Sequence, residues 1–307
     1  MNSKSKLRGF TLFELLLSMA ILAVLVLLIG NLANNATATT TTVRMRLESD
    51  NQARTVFDRM AQDFSGMLKR KDIDVVFSKQ NGNDKMFFYS EAPAYYSNDP
   101  VSSKRSPVAL VGYRISDKSQ LQRLGKGLIW SDESSAASLN FLTYPSADIG
   151  SRPLEESTIP GRWKQSIGSA PNFDGVDRDY HTLGNQVCRL ELCFQLKPSD
   201  KTVNTYSIDP YYPDHPNING VQDIAAIIVT IAVLENSASS SDSEKSRLIA
   251  ALPDPRNADL HGPPPKLTAT LWKQLITSSL VTPEKGLSQR SKSRLRIYER
   301  SFNLNNQ

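Results

Sequence analysis

Twenty residues from Phe10 to Ile29, FTLFELLLSMAILAVLVLLI, include only three polar positions, Thr11, Glu14 and Ser18. About twenty apolar residues suffice to carry a helix across the hydrocarbon core of a bilayer. This segment therefore reads as a membrane-crossing helix, and the rest of the fold must be built outside it. A carboxylate inside such a helix costs about 2.5 to 3.5 kcal/mol on insertion scales, so Glu14 calls for a neutralising partner or a function.

Two ordinary readings leave Glu14 without a purpose. In a secretory signal peptide, Lys4, Lys6 and Arg8 form the basic n-region and Ala36-Thr37-Ala38 the cleavage site, but the leader exceeds the usual 15 to 30 residues. In a retained signal anchor, the same basic residues satisfy the positive-inside rule.

The stretch Arg8-Gly9-Phe10-Thr11-Leu12-Phe13-Glu14 resembles the cleavage motif of type IV prepilins and of the pseudopilins of type II secretion. The resemblance implies that a prepilin peptidase cuts after Gly9 and that the new N-terminal Phe10 is N-methylated. It also makes Glu14 the fifth mature residue, whose carboxylate meets the N-terminal ammonium of a neighbouring subunit during filament assembly. Gly9, lacking a Cβ, lets the backbone enter a peptidase cleft in extended form. The implied partners are the peptidase, other pilin or pseudopilin subunits, and inner-membrane lipid before assembly.

The net charge of +5 raises nucleic acid as a partner. Loss of Lys4, Lys6 and Arg8 lowers Lys+Arg from 36 to 33 against 31 acids, which leaves the mature chain at +2. A nucleic-acid binder shows a concentrated basic face. The one basic cluster runs from Lys285 to Arg300, with Arg290, Lys292, Arg294 and Arg296. Alternating charge on a terminal strand is the commoner means of blunting a sheet edge, so no nucleic acid is expected.

The expected fold class is α+β, a long N-terminal helix packed on an antiparallel β-sheet head. The expected organisation is a leader over 1–9, a transmembrane half-helix over 10–30, an amphipathic half over 31–70, and a head over 71–307 that is loop-rich around 145–220. Asn31 to Thr42 is a poor helix former in isolation. Beyond it Val43, Leu47, Ala53, Phe57, Met60, Phe64 and Met67 or Leu68 recur at helical spacing, which predicts a helix to about Lys69.

The period then falls to two. Asp74–Ser78, Lys85–Glu91, Pro107–Asp117, Leu121–Trp130 and Leu139–Tyr144 read as antiparallel strands with short connections. Pro145 to Asn185 reads as a loop or insertion. Cys188, Leu190, Leu192, Phe194 and Leu196 alternate with Arg189, Glu191, Cys193 and Gln195, the period of a half-buried strand. That alternation puts the two cysteines on opposite faces, Cys188 in the core and Cys193 at the surface. Five residues of strand hold their Cα atoms roughly 16 Å apart, too far for a disulfide. Ile224 to Leu234 is apolar on both faces and reads as a central strand. Leu267, Leu271, Trp272, Leu275 and Ile276 mark a short helix, and Leu295 to Leu304 the last strand.

The helix ending QARTVFDRMAQDF, the strand VGYRIS and its return LQRLGKG resemble the J-type minor pseudopilins of type II secretion. VCRLELCFQL, DIAAIIVTIAVLE and IYERSFNL resemble the prepilin-like protein C of the Verru_Chthon cassette. The chain departs from ordinary J-type subunits in its long Pro145 to Gly220 region. Calcium sites occur in some pseudopilins, but Asp174, Asp177 and Asp179 lack the spacing of a calcium loop and read as a solvated turn.

No catalytic pattern stands out. His181, His215 and His261 have no partner at zinc spacing, and GxSxG, P-loop and GxGxxG motifs are absent. No cofactor or metal is expected. Tyr95-Tyr96 and Tyr211-Tyr212-Pro213 lie in Pro-rich stretches where aromatics pack back or form a partner surface. The leading reading is a structural, non-enzymatic subunit with its helix in the inner membrane and its head in the periplasm, destined for a filament. The competing readings are an exported enzyme or binding protein with a signal sequence and a single-pass membrane sensor or scaffold that does not assemble.

Overall fold

The computed structural model describes residues 11–69, 73, 75–79, 82–95, 105–128, 167, 180–197, 206–209, 220–235, 246–247, 249–261, 265–277 and 293–304. Two compact units follow one another, Met1–Glu48 and Ser49–Gln307. Helix α1 (Leu12–Ser65) contributes to both.

In the first unit the threonine-rich stretch is helical despite its weak propensity. Hydroxyls of Thr37, Thr39, Thr40, Thr41 and Thr42 each donate to the carbonyl four residues back, at 2.8 to 3.0 Å. This back-bonding satisfies the hydroxyl without leaving the helix. Val43 and Leu47, expected to open the apolar stripe, are 48% and 56% exposed. The buried stripe starts later, with Ala53, Val56, Phe57, Met60 and Phe64.

The helix stops at Ser65, four residues before the expected Lys69. Gly66 approaches β2 (Lys85–Ser90) so closely that a Cβ would lie 2.9 Å from Ser90 Oγ. From there the chain runs alongside that strand: Glu91 N–H donates to Gly66 O and Leu68 N–H to Tyr89 O, each at 2.8 Å.

The first sheet has the order β1 (Val76–Ser78), β2, β5 (Ala109–Ile115), β6 (Leu121–Gly127), β7 (Tyr180–Gly184), every pairing antiparallel. A two-stranded ribbon, β3 (Ala94–Tyr95) with β4 (Arg105–Ser106), lies between β2 and β5 in sequence. Strand β7 corrects the expectation of loop through Asn185. It is a short edge strand whose His181 and Thr182 are exposed, so it carries no apolar alternation. The expected strand Leu139–Tyr144 lies outside the described residues.

The second sheet has the order β11 (Leu295–Asn303), β10 (Ile224–Leu234), β8 (Val187–Leu196), β9 (Tyr206–Ser207). Strand β10 is buried and internal, as its apolar run predicts, and the charged β11 is an edge. Strand β8 is not half-buried. Cys193 is 2% exposed, packed with Ile228 and Leu260, because the short helix α2 (Asn257–Leu260) and helix α3 (Thr268–Thr277) cover the sheet's second face. The cysteines also share that face. A register shift pairs Ala232 with Arg189 but Val233 with Val187, and this bulge turns Cys188 towards Ala232, Leu252 and Trp272. Both thiols are free.

The main core is a three-part contact of α1 with the inner faces of both sheets. Phe64 lies 5.2 Å from Phe88 of the first sheet and 5.2 Å from Phe302 of the second, and Phe77 meets Phe194 edge-on at 5.1 Å. Apolar burial of this kind contributes about 25 cal/mol per Å². Two ionic clusters accompany these apolar contacts. Asp63 of α1, wholly buried, receives a two-pronged bond from Arg123 of β6 at 2.6 and 2.8 Å and the hydroxyl of Tyr113. The second cluster joins Lys79, Asp84, Arg189, Glu191 and Asp254.

Candidate functional site at the start of the long helix

Helix α1 begins at Leu12 because Thr11 caps it. The Thr11 hydroxyl accepts from the Glu14 N–H at 3.3 Å, and Glu14 Oε2 accepts from the Thr11 N–H at 3.0 Å. The Thr11 hydroxyl lies 3.0 Å from that same carboxylate oxygen. This is a reciprocal capping box, worth about 0.5 to 2 kcal/mol at the cap residue. A negative charge in the first turn also suits the helix dipole.

The sequence reading found Glu14 but missed this role. The signal was present: a threonine three residues before a glutamate, directly ahead of an apolar run. Oε2 makes both bonds to Thr11, and Oε1 makes none among the described residues. One carboxylate oxygen thus holds the helix start. Gly9 and Phe10 lie outside the described residues.

The next turns form an apolar cylinder. Leu12 to Ile29 expose about half or more of each large side chain, and the Ser18 hydroxyl is folded back onto Leu15 O at 2.8 Å. By length and composition α1 is able to cross a membrane. Such a surface requires lipid or other apolar helices around it.

The remaining candidate residues do not converge. His181 is exposed on β7, and His261 Nε2 lies 3.0 Å from Tyr206 O. Among the described residues no three His, Cys, Asp or Glu side chains are grouped to hold a metal. Asp174, Asp177, Asp179, His215, Tyr96, Tyr211 and Tyr212 lie outside the described residues. Of the basic cluster, Arg296 pairs with Glu235 and Arg300 with Asp58, each at 2.9 Å, while Lys285, Arg290 and Lys292 lie outside the described residues.

Residues 4–30 match the family model of the prokaryotic N-terminal methylation motif. No curated protein sequence matches the chain. Among solved structures, the type IV-like pilin TTHA1219 from Thermus thermophilus aligns at 10% identity over 83% of this chain and 94% of that one, with a TM-score of 0.31. The chain therefore carries a prokaryotic N-terminal methylation motif, placed at the capped start of a helix long and apolar enough to cross a membrane.

Proposed function

We propose that this chain is a structural, pilin-like subunit. A prepilin peptidase removes residues 1–9, Phe10 becomes N-methylated, and the mature subunit waits in the inner membrane with its head in the periplasm. It then enters a type IV pilus or type II secretion-like filament through α1, as a minor subunit of J-type character.

The observation that carries this reading is the match of residues 4–30 to the methylation motif. The carboxylate at Glu14 deepens it. Phe10 is one residue from Thr11, so a new terminal ammonium forms beside the Thr11–Glu14 box. Oε1 of Glu14 is then available to the ammonium of a neighbouring subunit, which resolves the cost of a carboxylate in an apolar helix.

Two substitutions separate capping from assembly. Glu14→Gln keeps a capping-box side chain and removes the charge. Glu14→Ala removes both. Both variants should be processed and inserted, and both should lose crosslinking to other pilin-like subunits, because the partner ammonium is left uncompensated in a low-dielectric setting. Wild-type crosslinking by Glu14→Gln would reduce Glu14 to a helix cap and favour a membrane protein that does not assemble.

A further inference from the structure

The second buried cluster lies where the first sheet meets the second. Lys79, after β1, reaches Asp84 Oδ2 at 2.9 Å and Glu191 Oε2 of β8 at 2.7 Å. Asp84 Oδ2 also accepts the Leu192 N–H at 2.8 Å, and the Asp84 N–H donates to Leu190 O at 3.0 Å. The corner before β2 is thus fastened to β8 by backbone and side chain together.

The remaining oxygens of this carboxylate pair have no such donors. Asp84 Oδ1 and Glu191 Oε1 are both buried without a hydrogen bond, although both residues are 0% exposed. Arg189 Nη2 is 3.2 Å from Glu191 Oε1, but its bonds go to Leu252 O at 3.0 Å and Asp254 Oδ1 at 2.8 Å. Two orphaned buried acceptors on carboxylates that grip one ammonium call for a donor, which a proton on either carboxyl would supply.

Charge leads to the same place. With every group ionised, Lys79 and Arg189 face Asp84, Glu191 and Asp254, two cations against three anions, of which Asp84 and Glu191 are wholly buried while the Asp254 side chain is 26% exposed. One added proton brings the cluster to neutrality. The other groups around it among the described residues do not supply the balance. Cys193 is neutral, its thiol 3.4 Å from Thr268 Oγ1. Thr230, opposite Glu191 on β10, donates to Glu299 at 2.8 Å, and Glu299 also accepts the Ala269 N–H at 3.1 Å. Trp272 lies over Arg189 at 5.6 Å and adds no charge.

We propose that Asp84 and Glu191 share one proton at neutral pH, held between Asp84 Oδ1 and Glu191 Oε1, and that this proton closes a pH-sensitive latch between the two sheets. Burial, and then the charge of Asp84, pushes Glu191 up to about 9, and burial raises Asp84 as well. Lys79 is pulled down by burial but held above its ordinary value by the two carboxylates. A carboxyl raised in the folded state stabilises it fully below the unfolded value of about 4.3 and loses that contribution as pH rises to the folded value. The latch is therefore strongest in acid and fades towards alkaline pH.

Two measurements on the full-length chain in detergent test this. Infrared spectra should show a protonated buried carboxyl at pH 7 that disappears on titration through the folded value of about 9. Absence of that band at pH 7 overturns the proposal, with no variant needed. Denaturant unfolding at several pH values then compares wild type with Glu191→Gln and Asp84→Asn, whose amides donate to the partner oxygen at every pH. Between pH 5 and 9 the wild-type unfolding constant should rise, relative to either variant, by up to about tenfold per pH unit. Parallel pH profiles for all three proteins would show that no shared proton holds the latch.

Discussion

Cys193 shows how a single residue reports on a layer the sequence conceals. Its place in the alternation of β8 predicts solvent on that side, yet Ile228, Leu260 and Thr268 enclose it. Burial pushes the thiols of both Cys188 and Cys193 up to about 12. A thiol attacks as its thiolate, so neither should react with an aromatic disulfide reagent in the folded protein at pH 8, and both should react after denaturation. Prompt reaction of one equivalent in the folded state would contradict the covered face. The bulge at Cys188 was equally hidden, because the sequence shows an unbroken two-residue period from Cys188 to Leu196 while the register slips at Cys188 itself, between Val187 and Arg189. Glu14 is the opposite case: its oddity is plain in one dimension, and even its cap was there to be read in Thr11.

At the scale of elements, α1 is joined to the first sheet by the Asp63–Arg123 pair as well as by its apolar stripe. The stripe was legible because Ala53, Phe57, Met60 and Phe64 repeat at helical spacing. Asp63 was not, because an aspartate beside Phe64 reads as a solvated charge and its partner Arg123 lies in β6, far along the chain. Arg123→Ala would leave a wholly buried carboxylate with Tyr113 and, at 3.6 Å, Arg59. Breaking one side of a buried pair costs about 3 to 5 kcal/mol, which a denaturant midpoint of the head would register. A loss within about 0.5 kcal/mol, the range of ordinary surface substitutions, would mean that the Asp63–Arg123 pair does not hold the helix to the sheet. Apart from Leu139–Tyr144, which lies outside the described residues, the expected strands of both sheets were found where alternation or a continuous apolar run marked them. Strand β7 escaped because an edge strand with exposed His181 and Thr182 has no period to detect.

For the whole molecule, the sequence separates an apolar N-terminal helix from an α+β head, and the structure has that architecture, with the head's core formed between two sheets and the second half of α1. What pattern alone could not supply was the division into two sheets, since that depends on the turn at Asn185-Gln186 carrying the chain from β7 to β8. The functional reading rests on the other end of the chain, on Gly9, Phe10 and Glu14. Replacing Gly9 with a bulky residue should leave the precursor uncut, since the backbone before the cut could no longer enter the cleft as glycine does. The most direct measurement is the intact mass and N-terminal sequence of the membrane-extracted protein. The account predicts a mature chain that begins at N-methylated Phe10; a chain that begins at Met1 or at Thr39 would contradict it.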